Sequence, residues 1–495
     1  MNCTRRRVLS MAPLMVLWPK AVLAATDQSR SGQLEFDSSD RRLAAGFAWA
    51  REEALSYVRN RGPIGAWYEA ALPGRNAFCM RDVSHMSTGA QILGLQRENL
   101  NMLRQFAQHI SASKKWATWW EITGDGQPAP GDYKSDSNFW YDLPANFDVL
   151  DACYRQWQWT GDSAYIGDEV FLNFYRRTVT DYIRAWDRTG SGFPEHMPDD
   201  GHMGIGTYDE DLQRQVMVGA DLVAAQYAAF RDYSAIERAR GEAGAAAEFE
   251  RRAAMLQVLF NTTWWDASRG SYYLGMGEDG KLHNDLKIGT GGGALEFPLY
   301  YGITDGDKTT VALDALERHL GLNEAAQKGV MGGVEGESYL PDIFYKYGRS
   351  RSAFTILSAL IDPSLKRRTY PEVSFTVVGN IATGLMGIRP IEAGRVVETF
   401  PQLTHETEWA EIRNVPFGGN TIAVRHRVCT ETKLTNLAGP DLSWRASFPG
   451  DTRTIRVNGK PVNASAGTRP GGVDESWCAV TVRSGQSVTA TVGAA

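Results

Sequence analysis

The chain has 495 residues, with 52 Lys and Arg against 58 Asp and Glu and a net charge of −6, and it carries no basic stripe of the kind that marks a nucleic-acid footprint. That balance argues against nucleic acid as a partner, and the length implies either several domains or one large repetitive architecture. The 15 Trp, 19 Tyr and 19 Phe exceed what packing alone usually requires, and flat rings suit the apolar faces of sugars.

At the N-terminus, Arg5-Arg6-Arg7 stand before an apolar stretch from Val8 to Leu23 that ends in small residues at Ala24 and Ala25. This is the layout of an export signal over residues 1–25, and the paired arginines point to the twin-arginine route, so a periplasmic or secreted protein is expected. The run is too short to cross a ~30 Å hydrocarbon core comfortably and contains Pro13 and Pro19, and no later segment approaches membrane length. Cys79, Cys153, Cys429 and Cys478 then lie in a compartment that permits disulfides, with Cys429 and Cys478 the candidates to pair. There is no CxxC or HExxH and the histidines are scattered, so neither a transition-metal site nor a cofactor is indicated.

From about residue 39 to 390, apolar residues return at three- and four-residue steps. The pattern predicts helices over Leu43 to Val58, Thr88 to Ile110, Ala145 to Trp159, Phe171 to Trp186, Val216 to Tyr233, Ala245 to Phe260, Thr310 to Leu320, Ser338 to Tyr347, Ala353 to Leu360 and Val373 to Met386. Elaborated loops follow alternate helices, as expected of an α/α toroid of about six hairpins over residues 26–390. After Pro390 the segments Thr421 to His426, Leu442 to Phe448, Thr454 to Val457 and Val480 to Val482 are short and β-branched, and Asn458-Gly459 reads as a hairpin turn. Residues 391–495 are therefore expected to form a small β-sandwich-like domain.

Four segments combine acidic and aromatic residues in Gly-rich surroundings, as cleavage of a glycosidic bond would require: one carboxylic acid to protonate the leaving oxygen and one carboxylate as base or nucleophile. In Asn76 to His85, Arg81 and Asp82 would fork hydrogen bonds to adjacent sugar hydroxyls from a loop, or else cap the helix that follows. Trp119, Trp120, Asp136, Asn138 and Trp140 would line a sugar subsite, if they are not core. Between Gly192 and Asp211, the carboxylates of a crowded loop that includes Asp209 and Glu210 beside Tyr208 would raise one another's pKa, unless they are a solvated loop or hold calcium. Last, Glu335, Glu337 and Tyr339 in Gly332 to Leu340, and Glu372 in Tyr370 to Ser374, each lie beside a helix start.

The segment Tyr370-Pro-Glu-Val-Ser-Phe-Thr-Val-Val-Gly-Asn-Ile-Ala-Thr-Gly-Leu-Met-Gly-Ile-Arg-Pro390 resembles the last toroid helix and exit of six-hairpin glycosidases, notably α-L-rhamnosidases. Met80-Arg-Asp82 likewise resembles the Arg-Asp segment near the first hairpins of that superfamily. The resemblance covers most of residues 40 to 490 as an order of elements. It implies an exo-acting, inverting hydrolase with Glu210 as acid, Asp209 as its understudy, and Glu372 as base, with Glu335 or Glu337 as rival for the second role. The acidic-aromatic segments themselves supply the candidate substrate contacts, Arg81, Asp82, His85, Trp119, Trp120, Asp136, Asn138, Trp140, Tyr208 and Tyr339. The Gly-Asp-Trp and Thr-Thr-x-Trp-Glu motifs of rhamnosidases have no counterpart here, so these roles are placed by position. A polysaccharide lyase or sugar epimerase on the same toroid, using His85, His196, His202 or Tyr208, is the alternative, with a non-catalytic glycan-binding protein after it.

Overall fold

The computed structural model describes residues 34–60, 62–197, 203–209, 212, 215–286, 293–322 and 333–493. Its helices, in chain order, are α1 (Arg41–Ser56), α2 (Met80–Ile92), α3 (Gln96–Gln108), α4 (Ala145–Thr160), α5 (Ala164–Gly167), α6 (Glu169–Arg177), α7 (Ile183–Trp186), α8 (Ala220–Arg240), α9 (Ala243–Thr262), α10 (Gly293–Tyr301), α11 (Gly306–His319), α12 (Val334–Glu337), α13 (Leu340–Lys346), α14 (Ser350–Leu360) and α15 (Pro371–Asn380). Helices α2, α4, α8, α10 and α13 each pack on the next, α13 also packs on the turn Ile381–Leu385 that continues α15, and α15 returns to α2, closing a circuit. Outside it, α1 packs on α15, α3 on α2 and α4, α9 on α8, α11 on α10 and α14 on α13. The result is a helical toroid.

Composition follows position. α8 and α15 are buried around nearly their whole girth, with runs such as Leu222-Val-Ala-Ala225 and Val373 to Asn380, because an inner helix meets protein on every side. α9 on the outside buries only Ala246, Phe249, Ala253, Leu256, Phe260 and Asn261, a three- and four-residue stripe. Backbones in the inner circuit approach closely: Gly89 of α2 lies against the carbonyl of Phe375 and faces Gly379 on α15, which only the absence of Cβ permits.

Two expected boundaries move. The helix expected from Thr88 to Ile110 is two helices, α2 and α3, separated at Gly94, whose φ of +84° is the left-handed conformation that ends a helix. α2 also begins at Met80 instead of near Thr88, because Ala77–Cys79 pairs antiparallel with Glu121–Thr123 and delivers the chain directly into the first turn. Helix α10 was not expected at all, since its aromatic sequence is interrupted by Pro298.

The C-terminal region is a pair of sheets. One runs Arg389–Glu392, Val396–Thr399, Leu442–Pro449, Val473–Val482, Ser465–Arg469, and the other carries Trp409–Phe417, Asn420–Arg427, Glu431–Ala438, Ser487–Thr491 and the hairpin Thr454–Val457 with Lys460–Asn463. Alternation along Trp409–Phe417 turns Ala410, Ile412, Val415 and Phe417 inward. The edge strand of the second sheet is Glu35–Ser38, paired with Trp409–Phe417, so this piece of the expected toroid segment belongs to the β domain. Cys79, Cys153, Cys429 and Cys478 are all free thiols, and the Cys429–Cys478 disulfide is not formed. Cys429 Sγ instead donates to the Leu403 carbonyl at 3.4 Å, while Cys478 sits in a strand opposite Ala446. Among the described residues no helix is long and apolar enough to cross a membrane.

Candidate active site

Each helix of the inner circuit carries an acidic side chain in its first turn: Asp82 on α2, Asp148 on α4, Asp221 on α8, Glu296 on α10, Asp342 on α13 and Glu372 on α15. The short α12 adds Glu335 and Glu337. A helix N-terminus favours negative charge through its unpaired N–H groups, so each helix supports one member of the set. Asp82, Asp148, Asp221, Glu296, Glu337 and Glu372 are all buried, and burial disfavours the charged form.

The best-defined part of the site lies between α2 and α15. Asp82 accepts hydrogen bonds from the Cys79 thiol and, at 2.5 Å, from the Tyr370 hydroxyl. Burial raises its pKa while the adjacent Arg81 opposes the rise. Glu372 Oε1 lies 2.7 Å from Nδ1 of His85, one turn along α2 from Asp82. Glu372 is held well above the usual carboxylate range, first by burial and then by Asp82, with Arg81 and Arg367 pulling the other way. His85 is pushed well below the ordinary imidazole value by burial and by Arg155 and Arg81, so its ring is neutral. The His85 ring stacks on Tyr339 with centroids 3.4 Å apart and 7° between planes.

Arg81 connects this pair to the opposite wall. Its guanidinium lies 5.3 Å from the Tyr208 ring centroid and 6.0 Å from that of Trp120, in the range of cation–π attraction. Tyr208 packs on Phe297 at 4.8 Å and Phe297 on Tyr339 at 4.8 Å, completing an aromatic path back to His85. Along that wall Glu337 is pushed up to about 7 by burial and by Glu335. Glu296 is raised well above its ordinary value by burial, Glu337 and Asp209, and Asp221 reaches about 7 by burial, with Asp209 adding to the rise. Glu335 pairs with Arg367 at 2.5 Å. Among the described residues, the Tyr208 hydroxyl, one Glu296 oxygen and one Asp221 oxygen are buried with no hydrogen-bond partner.

The structure thus brings together Arg81, Asp82, His85, Trp120, Tyr208, Tyr339 and Glu372, with Asp209, Glu335 and Glu337 beside them. Arg81 and Asp82 lie in the first turn of α2, not in the loop expected. Glu210 and His202 lie outside the described residues. Trp119 turns away from Trp120 to stack on His109 at 4.0 Å and meet Tyr133 edge-on, and Asp136 binds the Tyr133 hydroxyl at 2.6 Å and also that of Ser113. These form a separate patch, and neither Asn138 nor Trp140 contacts the Arg81 cluster in any interaction described. Sequence reasoning missed Asp148, Asp221, Glu296 and Tyr300. The run Gly291-Gly-Gly293 directly before Ala-Leu-Glu296 was the available signal for Glu296, since glycine admits close approach at a helix start.

No family model and no curated protein matches the sequence. Among solved structures, the chain is similar to an α-L-rhamnosidase from Dictyoglumus thermophilum, with a TM-score of 0.60 and 12% identity over 92% of this chain and 50% of that one. It is similar to the Streptomyces avermitilis α-L-rhamnosidase complexed with L-rhamnose, with a TM-score of 0.57 and 15% identity over 93% of this chain and 42% of that one. A putative kojibiose phosphorylase from the human microbiome gives a TM-score of 0.58 and 10% identity, over 92% of this chain and 64% of that one. The fold is therefore that of rhamnosidase-like carbohydrate-active enzymes, a helical toroid with a β domain. The chain spans about half the length of the rhamnosidases it matches.

Proposed function

We propose that this protein is an exported glycoside hydrolase that removes a terminal sugar of the α-L-rhamnose type with inversion, on a toroid of six hairpins. The observation that carries the reading is the buried Asp82, His85 and Glu372 with the half-buried Arg81 beside them, on the first two turns of the adjacent inner helices α2 and α15, in a fold shared with α-L-rhamnosidases. Glu372 is the base that takes a proton from the attacking water. Glu210, with Asp209 as understudy, protonates the leaving oxygen from the acidic loop before α8. Arg81 and Asp82 bind sugar hydroxyls, with Tyr208, Trp120 and Tyr339 as apolar walls. One observation favours a second assignment of the acid: Glu337 holds its proton up to about 7, as a general acid near neutrality must.

p-Nitrophenyl α-L-rhamnopyranoside is the test substrate, with the anomer of the released sugar read by proton NMR. Glu372→Gln should lower kcat on the order of 10²–10⁴-fold on aryl and natural glycosides alike, because water activation is needed whatever the leaving group. Glu210→Gln and Glu337→Gln separate the two acids: the true acid, once removed, loses far more activity on poor leaving groups than on p-nitrophenol. Unchanged turnover in Glu372→Gln would remove it from the mechanism. Release of an unsaturated uronate from a uronate-containing polysaccharide would turn the reading to a lyase. Changing Arg5 through Arg7 to Lys should leave precursor in the cytoplasm if export follows the twin-arginine route, and normal export would exclude that route.

A further inference from the structure

A base must be ionised to work, yet Glu372 is buried beside Asp82, and both facts raise its proton affinity. Arg81 and Arg367 oppose them. The group in direct contact is His85, whose Nδ1 is 2.7 Å from Glu372 Oε1. A neutral imidazole carries one N–H, so the contact has two forms: Nδ1–H donating to a carboxylate, or a carboxylic acid donating to bare Nδ1.

Behind the ring lies a small polar cleft lined in part by His85, Thr88, Arg155, Tyr300, Asp342 and Thr376. Glu372 does not line it, so the imidazole is the partition between the carboxyl and the cleft. Its polar lining suits water. Arg155 has donors only and places positive charge at the cleft wall, which disfavours a ring N–H aimed there. Water or the Tyr300 hydroxyl can donate to a bare Nε2. Stacking on Tyr339 and an edge contact with Tyr300, 6.1 Å between centroids at 90°, hold the plane of the ring.

We propose, resting on Glu372 as the base, that His85 is a positioning residue whose Nδ1–H holds Glu372 as a carboxylate, with Nε2 left bare towards the polar cleft. The charged and titratable groups facing the ring are Arg81 on its own helix, Arg155 on α4, Tyr300 on α10, Tyr339 before α13, Asp342 across the cleft and Glu372 on α15. Asp342 is the acceptor that favours the opposite tautomer.

The tautomer is read without substrate from imidazole ¹⁵N shifts of histidine-labelled protein, with His85 assigned by its loss in His85→Phe. Protonated Nδ1, bare Nε2 and no titration between pH 5 and 8 are expected. A protonated Nε2 with bare Nδ1, or a ring that titrates in this range, overturns the proposal. Kinetics on p-nitrophenyl α-L-rhamnopyranoside add a second measure. His85→Asn keeps an amide N–H near the Nδ1 position and should preserve the acidic limb of kcat/KM. His85→Phe and His85→Gln should move that limb up by about one to two pH units, a loss of about 10- to 100-fold below it. An unmoved limb in His85→Phe overturns this inference while Glu372→Gln remains inactive; active Glu372→Gln removes the base reading itself.

Discussion

At the residue scale, the site is built from carboxyl groups that the fold keeps protonated more readily than water would. Glu337 illustrates the consequence for stability. Its pKa rises from the ordinary range to about 7 on folding, so the folded state binds its proton more tightly than the unfolded state does. The resulting stability is present below the unfolded pKa of about 4.3 and is lost as pH rises through about 7. Glu337→Gln is neutral at every pH, so its melting temperature should fall less than that of the parent between pH 5 and pH 8, and at pH 8 the variant should melt higher. Parallel thermal melts across that range check this, and parallel curves for the two proteins would contradict the assignment. The aromatic residues show how far single positions could be read in advance. Trp119 and Trp120 are neighbours with the same composition signal, but one stacks on His109 and the other meets Arg81, because successive residues in an extended segment point to opposite sides.

At the scale of elements, the inner circuit depends on backbones that touch. A Cβ built on Gly89 would overlap the carbonyl of Phe375, and a carbonyl inside a helix has no rotamer with which to move aside. Gly89→Ala should therefore destabilise the protein by the upper end of about 1–3 kcal/mol, seen as a lower denaturation midpoint in urea. Gly244, in the first turn of α9, has open space around it. Gly244→Ala is expected to be neutral or to stabilise by up to about 1 kcal/mol, so equal losses at both positions would contradict the packing argument. Helix periods were readable for α9, α11 and α14 because each pairs a buried stripe with an exposed face. They were less readable where a helix is buried all round, and α10, with Pro298 and few polar residues, escaped notice for that reason.

At the scale of the whole molecule, the toroid and the β domain are joined by specific polar contacts. His426 donates through Nε2 to the carbonyl of Met386 at 2.9 Å, while Thr432 Oγ1 lies 2.8 Å from Nδ1. Burial lowers the His426 pKa to about 4, so the folded state favours the neutral ring. Its contribution is full above the unfolded value of about 6.5 and is lost as pH falls towards about 4. His426→Leu should cost about 1–3 kcal/mol at pH 7, from a buried carbonyl left unpaired, and the difference from the parent should shrink by pH 4.5. Thermal melts at the two values test it; a gap that widens on acidification would show that the ring is charged in the fold. The same junction is fastened by Gly394 N–H to Gln158 O at 2.7 Å and Gly418 N–H to Trp159 O at 2.9 Å.

The sequence by itself determined the features that repeat locally. Apolar residues at helical spacing marked most of the toroid, Asn458-Gly459 marked the hairpin at Thr454–Val457 and Lys460–Asn463, and acidic residues beside aromatic ones marked the segments that carry Asp82, Glu337 and Glu372. Local period is carried by neighbouring residues, so one chain suffices to read it. Tertiary structure alone decided what depends on residues far apart in sequence. Pairing of Ala77–Cys79 with Glu121–Thr123 placed Arg81 and Asp82 in a helical turn, and pairing of Glu35–Ser38 with Trp409–Phe417 moved the first strand into the C-terminal domain. Packing of α2 against α15 set His85 on Glu372 across 287 positions of chain. No propensity or spacing encodes such a meeting, because it is fixed by the closure of the helical circuit, in which the first inner helix has the last as its neighbour.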